Sequence, residues 1–149
     1  MAFSLSGEYV LNIIDVMDAT QLTFDYSIST HKQALYTNTL TPDFSANSTY
    51  SSTNEVSGTN YTTGGTAIST LGGSPTVTES PTGTIKYDMN DSTWATVTIA
   101  TGPRGVIQYE VGANKLMFAV TFGADFPVSG GNLVIQWASG GVMTRDLTP

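Results

Sequence analysis

The sequence predicts a mainly β protein: an antiparallel β-sandwich or a partly open barrel, with one short N-terminal helix and one long loop. After residue 21, apolar and polar residues alternate in most segments, which is the period of a half-buried strand. Clusters of Gly, Asn, Asp and Pro separate these segments at short distances, as in sandwiches and barrels. The 149 residues fit a single domain, residues 1–149. The sequence shows no internal repeat of the kind that would indicate a propeller or a solenoid.

The composition excludes several classes of function. Only 11% of the residues are charged, well below the roughly 25% of ordinary domains, and the net charge is -7. The basic residues form no cluster that could follow a phosphate backbone, so we expect no nucleic-acid partner. There is no cysteine, which excludes disulfides and thiolate zinc sites. The five basic residues are Lys32, Lys86, Arg104, Lys115 and Arg145.

The first segment predicts a helix over residues 6–18. Ser6 is placed to cap it, and Glu8 lies where the positive end of the helix dipole favours an acid. We expect a sheet to cover the apolar stripe of this helix. The same segment lacks a basic region and a cleavage site, and acids interrupt its apolar run, so we expect neither a signal peptide nor a membrane span. The stripe comprises Tyr9, Val10, Ile13, Ile14 and Met17.

Strands are predicted wherever the period changes to two. The first covers residues 21–29, where Leu22, Phe24, Tyr26 and Ile28 alternate with polar residues, and it continues after a break through residues 34–36. We expect turns at 88–91, 102–103, 112–114 and 129–131. The remaining predicted strands cover residues 66–71, 84–89, 94–100, 105–111, 115–122 and 132–137.

Residues 39–65 read as a long loop of small polar residues punctuated by Pro and Gly. Loops of this length are usually functional or disordered. Phe44, Tyr50, Val56 and Tyr61 argue against full disorder, because a disordered linker seldom carries so many large apolar groups. At the other end of the sequence, residues 145–149 are predicted to form a C-terminal arm.

No residue pattern indicates a catalytic, cofactor or metal site. His31 is the single histidine, and with Asp25 and a serine it could form a nucleophilic triad, but no nucleophile-elbow motif is present. We expect His31 to be a solvated surface residue. Two acid pairs could in principle work as a glycosidase pair, and the stretch DMNDS around the second pair also faintly resembles a calcium loop, but each pair is explained more simply by a helix end or a turn. These pairs are Asp15 with Asp18, and Asp88 with Asp91.

The glycine pairs and the two tryptophans also favour structural roles. Gly64–Gly65, Gly72–Gly73, Gly130–Gly131 and Gly140–Gly141 lack the residues of a phosphate loop, so we expect turns with positive φ. Trp94 and Trp137 could form a platform for sugar stacking. We instead predict core or subunit-contact roles for them, because they lie in strands near turns.

One block of the loop carries a resemblance to a known family. TPDF at 41–44, NEVSGTNYTTGG at 54–65, and the closing FGADFPVSGGNLVIQWASGGVMT at 122–144 resemble small virion structural proteins of tailed bacteriophages. In that family a block close to NEVSGTGYTAGG follows a short helix and a strand, and a D-x-x-x-W turn comes later. Asp91 and Trp94 here are similar but stand one residue closer together, as D-x-x-W. The sequence departs from the pattern at Asn60, where glycine is usual, and over 70–81. The resemblance covers most of the chain.

The resemblance implies a non-enzymatic protein of the virion that is assembled in the cytoplasm of a bacterial host. The leading interpretation is a capsid decoration, or cement, protein on the capsid surface, which binds the major capsid protein and stabilises the head by bridging capsomers. Such a protein would be a homo-oligomer, with a trimer favoured. The long loop at 39–65 and the two termini would then be its candidate contact segments, because extended segments can add strands or clasp a neighbour. The family includes head fibres and tail proteins as well, and it supplies no catalytic residues to carry over.

Three alternatives stay open. The chain could be a tail or neck component such as a tube, adaptor or fibre-base subunit. It could be a carbohydrate-binding β-sandwich, whose aromatic residues would grip glycans. A hydrolase would need His31 or Asp25 for its activity.

Overall fold

The computed structural model describes residues 2–18 and 25–148, and it is mainly β, as predicted. Three antiparallel sheets and one short helix make up the regular structure of these residues, and no barrel closes. The helix is α1 (Val10–Asp18). The strands are β1 (Gly7–Glu8), β2 (Lys32–Tyr36), β3 (Thr66–Ala67), β4 (Thr76–Glu79), β5 (Thr84–Asp88), β6 (Ser92–Ile99), β7 (Gly105–Tyr109), β8 (Leu116–Thr121), β9 (Val128–Ile135) and β10 (Met143–Asp146).

The central sheet has the strand order β1-β8-β7-β2-β3, and its middle strands are buried on both faces. Leu35 pairs with Val106, and both side chains enter one core with β6 and β9. Ala34 pairs with Ile107, and these two enter a second core on the opposite face. Because both faces are covered, β7 is apolar at nearly every position instead of alternating. The architecture is therefore sandwich-like, with the central sheet inside.

Strands β6 and β9 form a two-stranded sheet over the first face. The pairing is irregular between Trp94 and Val97, where Thr96 has a φ of 55°. Two asparagines hold this bulge: the Asn132 side chain accepts from the Thr96 amide at 3.0 Å, and the Asn60 side chain donates to the Thr96 carbonyl at 3.0 Å. The bulge lets the ribbon twist over the core.

The long loop of residues 39–65 packs on both cores. Val56 and Tyr61 belong to the first core, while Phe44 and Tyr50 pack against the second. Isolated backbone bridges join the loop to the strands beneath it, among them Thr59 to Thr98 in β6. The prediction that its large apolar residues oppose disorder is confirmed. The large apolar residues of the loop are part of the interior, while most of its small polar residues remain exposed.

The third sheet has the order β10-β5-β4 and contains the C-terminal residues. Arg145 lies in β10 opposite Ile85, and its guanidinium pairs with the Glu8 carboxylate, with 2.8 Å between Nε and Oε2. The Leu147 amide donates to the Gly83 carbonyl at 2.9 Å. The prediction of a free arm at 145–149 is therefore wrong for residues 145–147, because backbone pairing holds them to β5 and Gly83.

The helix is shorter than predicted. It begins at Val10 rather than at residue 6, because Gly7 and Glu8 pair with Ala119 and Phe118 of β8 as a short strand. Ser6 does not cap it; its hydroxyl accepts from the Thr121 amide at 2.9 Å. In residues 2–18 and 25–148, no helix combines the length and hydropathy needed to cross a bilayer.

The first predicted strand, over 21–29, is wrong for its described part. Residues 25–29 form turns, because the Asp25 carboxylate accepts from the Ser27 amide at 2.9 Å and competes with a sheet ladder. Leu22 and Phe24 lie outside the described residues. The continuation at 34–36 is confirmed within β2.

The later strands are confirmed with shifted ends. The predicted strand at 66–71 shortens to β3, because the Leu71 amide donates to the Ala67 carbonyl in a turn. The predicted turn at 129–131 lies inside β9, where Gly131 pairs with Val97. Strands β1, β4 and β10 were not predicted from the sequence. The polar Thr76–Glu79 strand shows why, since all four of its residues are exposed and carry no apolar alternation.

The loop's docking on β6 is tested by Gly58→Ala. A Cβ at Gly58 would lie 2.0 Å from the Thr98 carbonyl oxygen, so the loop must move away from the strand. We expect the free energy of unfolding in urea to fall by about 3 kcal/mol. Gly140→Ala is the matched control, because a Cβ there meets nothing within 4 Å and neither glycine has a positive φ. Equal stability of the two variants would contradict this docking.

Candidate functional site

Helix α1 presents its large apolar side chains to solvent. Met17 is 79% exposed, Ile14 50%, Val10 47% and Leu11 42%. We call these four residues the α1 apolar face. They fall on one side of the helix at a spacing of three and four residues. The expectation that a sheet covers the predicted stripe is wrong for three of its five residues, whereas Tyr9 is fully buried and Ile13 is half-buried. Several large apolar groups exposed together indicate a contact surface.

Asn12 determines which side of α1 faces inward. It is 1% exposed, and its side-chain nitrogen donates to the Leu116 carbonyl at 2.6 Å and to the Ser48 carbonyl at 2.8 Å. Burying an amide without partners is costly, so these two bonds fix the rotation of the helix. Just before the helix, Tyr9 is fully buried, with its ring 5.2 Å from that of Phe44. The apolar face is left outside as a result.

The α1 apolar face carries little charge. Asp15 and Asp18 are the two charged residues of the helix, and neither its first turn nor its last turn contains a charge of the kind that complements the helix dipole. Asp15 is half-buried, and Asp18 is exposed at the helix end. A weakly charged apolar surface favours a protein partner over an ionic ligand.

Glu55 organises the long loop from within. Its carboxylate accepts hydrogen bonds from the Tyr50 hydroxyl, from the Tyr61 hydroxyl at 2.6 Å, and from the amides of Gly64 and Gly65 at 3.0 and 3.1 Å. We call these five residues the Glu55 network. Four donors on one carboxylate satisfy a charge that is otherwise costly to remove from water. Hydrogen bonds to Glu55 therefore hold the residues of the 54–65 block to one another.

The Glu55 network is joined to the central sheet through its tyrosines. The Tyr61 hydroxyl accepts from the Leu35 amide of β2 at 2.9 Å while it donates to Glu55. The Tyr50 ring stacks on Tyr109 of β7, with 4.6 Å between ring centroids. Gly65, with a φ of 68°, lies so close to β2 that a Cβ would be 2.4 Å from the Gln33 carbonyl oxygen. The network thus holds the loop against the middle of the sheet.

His31 does not form a triad. It is buried rather than solvated as predicted, because its Nε2 lies 2.8 Å from the Asp25 backbone carbonyl and the turn folds over the ring. The Asp25 carboxylate binds Ser27 instead, and the hydrogen bonds from the Ser27 hydroxyl and amide lower the pKa of Asp25. The acid therefore does not orient the imidazole, which a triad requires.

The second acid pair, Asp88 and Asp91, makes structural contacts with residues in or next to the neighbouring strands. The Asp88 carboxylate pairs with Lys86 at 2.7 Å and accepts from the Met89 amide at 2.9 Å. The Asp91 carboxylate accepts from the Trp137 amide at 3.1 Å. Across residues 2–18 and 25–148, no group of three or more acidic or histidine side chains is placed to hold a metal ion.

The tryptophans and glycine pairs have structural places. Trp94 is a buried member of the first core, as predicted, and Trp137 is half-buried with its Nε1 donating to the Ser92 hydroxyl at 3.2 Å. With Trp94 inside, the two rings form no exposed platform. The predicted positive φ is confirmed for one or both members of each glycine pair.

Sequence reasoning missed both of the organising polar residues. Asn12 interrupts a run of apolar residues in VLNIIDVMD, which is the signal that the helix has a polar inward position. Glu55 lies in a stretch otherwise rich in Ser, Thr, Asn and Gly. The pattern gave each residue type but not its partners, which are carbonyl acceptors around the Asn12 amide and donors around the Glu55 carboxylate.

The Glu55 network is tested by Glu55→Gln. A glutamine keeps the size of the side chain but turns an NH₂ donor toward groups that are themselves donors. We expect the free energy of unfolding in urea to fall by about 2–3 kcal/mol. Glu79→Gln is the matched control, because the Glu79 carboxylate also accepts from a backbone amide, that of Gly83 at 2.8 Å, but is exposed. An equally small loss in both variants would show that the network is not important for stability.

The tyrosines predict a pH dependence of stability. Burial raises the pKa of all seven tyrosines above the ordinary value of about 10. Above pH ~10 the unfolded chain therefore releases tyrosine protons that the folded chain keeps, so stability falls as pH rises. In an alkaline titration, phenolate absorbance should rise together with the loss of far-ultraviolet circular dichroism. Ionisation of most tyrosines near pH 10 with the fold intact would contradict their burial.

Comparison of the chain with protein-family models, with curated proteins and with solved structures found no match. The function must accordingly be inferred from the chain's own residues, above all from the α1 apolar face and the Glu55 network.

Proposed function

We propose that this chain is a structural protein of a bacteriophage particle that binds the assembled head as a decoration protein and acts without catalysis. The observation that carries the proposal is the α1 apolar face, whose four large side chains are 42–79% exposed. A surface of this kind is costly in a free chain and is stabilised when a partner covers it. The resemblance of the 54–65 block to tailed-phage virion proteins supports the same function.

The composition suits a role at a shell surface. Because the chain has few charged side chains, few ions have to be desolvated when its surface is covered. Its abundant hydroxyls and amides supply hydrogen bonds at the rim of the contact surface. The partner in this proposal is the major capsid protein, and the chain acts as a homo-oligomer, with a trimer matching three-fold positions of an icosahedral shell. Anything that binds only the assembled shell stabilises it by mass action.

The first test is the copy number per particle. Quantitative mass spectrometry of purified virions would compare this chain with the major capsid protein. A decoration protein is expected at the order of hundreds of copies, because it repeats over the shell. A count of about six to twelve, as for a closed ring, would overturn the head assignment in favour of the neck or tail.

The role of the helix is tested by adding purified protein back to particles that lack it. Met17→Asp places a charge on the α1 apolar face, and we expect it to weaken binding about 10–100-fold relative to wild type. Leu147→Asp is the matched control, because Leu147 is 67% exposed in a different part of the chain and should tolerate the change. If both variants bind as wild type does, α1 is not the contact surface.

A further inference from the structure

Strand β9 has an outer edge with which no other strand of the described residues pairs. Its inner edge pairs with β6, and these two strands make up the whole of their sheet. The far edge of β6 is covered by the chain itself, because the Thr93 amide donates to the Leu71 carbonyl at 2.9 Å. Thr59 of the long loop also bridges Thr98 of that strand. The open edge of this sheet therefore lies on the β9 side.

The hydrogen bonds of β6 show which backbone groups of β9 point outward. Thr93 pairs with Val134, but the Thr93 amide is directed at Leu71 and not at β9. In an antiparallel ladder, the residues of such a non-hydrogen-bonded pair both direct their N–H and C=O groups away from each other. The backbone groups of Val134 consequently point to the open edge. The same direction recurs two residues away on either side, at Asn132 and Gln136.

This edge lacks the features that protect a sheet from pairing with another chain. β9 has eight residues, and no charged residue occurs between Asp125 and Arg145. Short length and charged side chains discourage edge pairing, whereas a long uncharged edge is a template for another strand. The edge strands of the other two sheets are protected: β1 and β3 have two residues each, β4 carries Glu79, and β10 carries Arg145 and Asp146.

Exposed apolar side chains accompany the open edge. Val134 is 45% exposed and Phe126 is 48% exposed. Both line a cleft of 210 Å³ beside the strand, together with Phe122, Leu133 and Ile135. The Phe122 and Phe126 rings meet edge to face, with 6.1 Å between their centroids. A strand added to β9 would cover these groups, so burial of apolar surface would add to the backbone hydrogen bonds.

We propose that β9 pairs with β9 of a second copy of this chain, antiparallel and about a two-fold axis at Val134. A two-fold axis perpendicular to the sheet places Val134 opposite the partner's Val134, and their outward backbone groups then bond each other. In the same register Asn132 meets the partner's Gln136, so two residues with outward backbone groups again face each other. On the core side of the ribbon, Leu133 meets the partner's Ile135, and apolar side chains are adjacent.

This self-complementarity favours a second copy over an unrelated strand. The net charge of -7 opposes association of the chain with itself in general. Residues 126–144 contain no charge, so a contact between two copies of this segment brings no like charges together. The inference does not depend on the proposed function, and it uses no residue of the α1 apolar face. On a shell, a two-fold contact at β9 would join copies at neighbouring three-fold positions.

The pairing is tested with the isolated full-length protein by sedimentation velocity. Protein concentrations from about 10 μM to 1 mM cover the affinity of a small contact of this kind. We expect the average mass to rise with concentration from the 15.7 kDa of one chain toward twice that value. In hydrogen exchange, the Val134 amide should exchange more slowly at the highest concentration than at the lowest, because pairing gives it an acceptor. This second measurement requires no variant.

Charged variants assign the contact to the two-fold axis. Val134→Lys and Val134→Glu each place like charges opposite each other, and each should weaken self-association at least about tenfold. An equimolar mixture of the two variants should associate again, because opposite charges then meet. Val77→Lys and Val77→Glu are the matched controls and should associate as wild type does, because Val77 is 47% exposed on a different edge strand, β4.

Three results overturn the proposal. The first is a monomer at every concentration, with exchange of the Val134 amide independent of concentration. The second is an oligomer that Val134→Lys leaves as strong as in wild type, since the contact would then lie elsewhere. The third is a mixture of the two charged variants that associates no better than either variant alone, because residue 134 would then not face itself.

Discussion

The carboxylate of Glu55 is the group on which the arrangement of the long loop depends. A charge that leaves water must be met by several donors, and the chain supplies four from its own loop: two tyrosine hydroxyls and two consecutive glycine amides. Those glycine amides converge on one acid because Gly64 and Gly65 have positive φ. One polar interaction therefore determines the path of a segment with little regular structure.

The Glu55 network also links the long loop to both hydrophobic cores. Tyr61 bonds the Leu35 amide, and Val56 enters the first core, so the loop becomes a covering layer for one face of the central sheet. Tyr50 stacks on Tyr109 over the other face. The residues of the 54–65 block thus bond mainly to one another and to the sheet. The block that carries the resemblance to virion proteins therefore helps to hold the loop on the central sheet.

The α1 apolar face is tied to the long loop at its first residue. Tyr9 is fully buried with its ring 5.2 Å from that of Phe44, and the next residue, Val10, begins the α1 apolar face. The Val10 amide donates to the Phe44 carbonyl at 2.9 Å. The loop therefore fixes the position of the proposed contact surface as well as covering the cores.

The amino-acid sequence predicts the fold class and most strands, because period-two alternation and turn residues act over short distances. The large apolar groups of the long loop likewise oppose full disorder. Which side of α1 faces inward follows only from the folded structure, since a helical stripe does not show whether another element covers it. Asn12 faces inward because two carbonyls distant in sequence meet its amide. For the same reason the sequence wrongly predicted a solvated His31 and did not predict the pairing of Arg145 with Glu8. The position of a polar side chain depends on partners that are distant in the sequence and come near only when the chain folds.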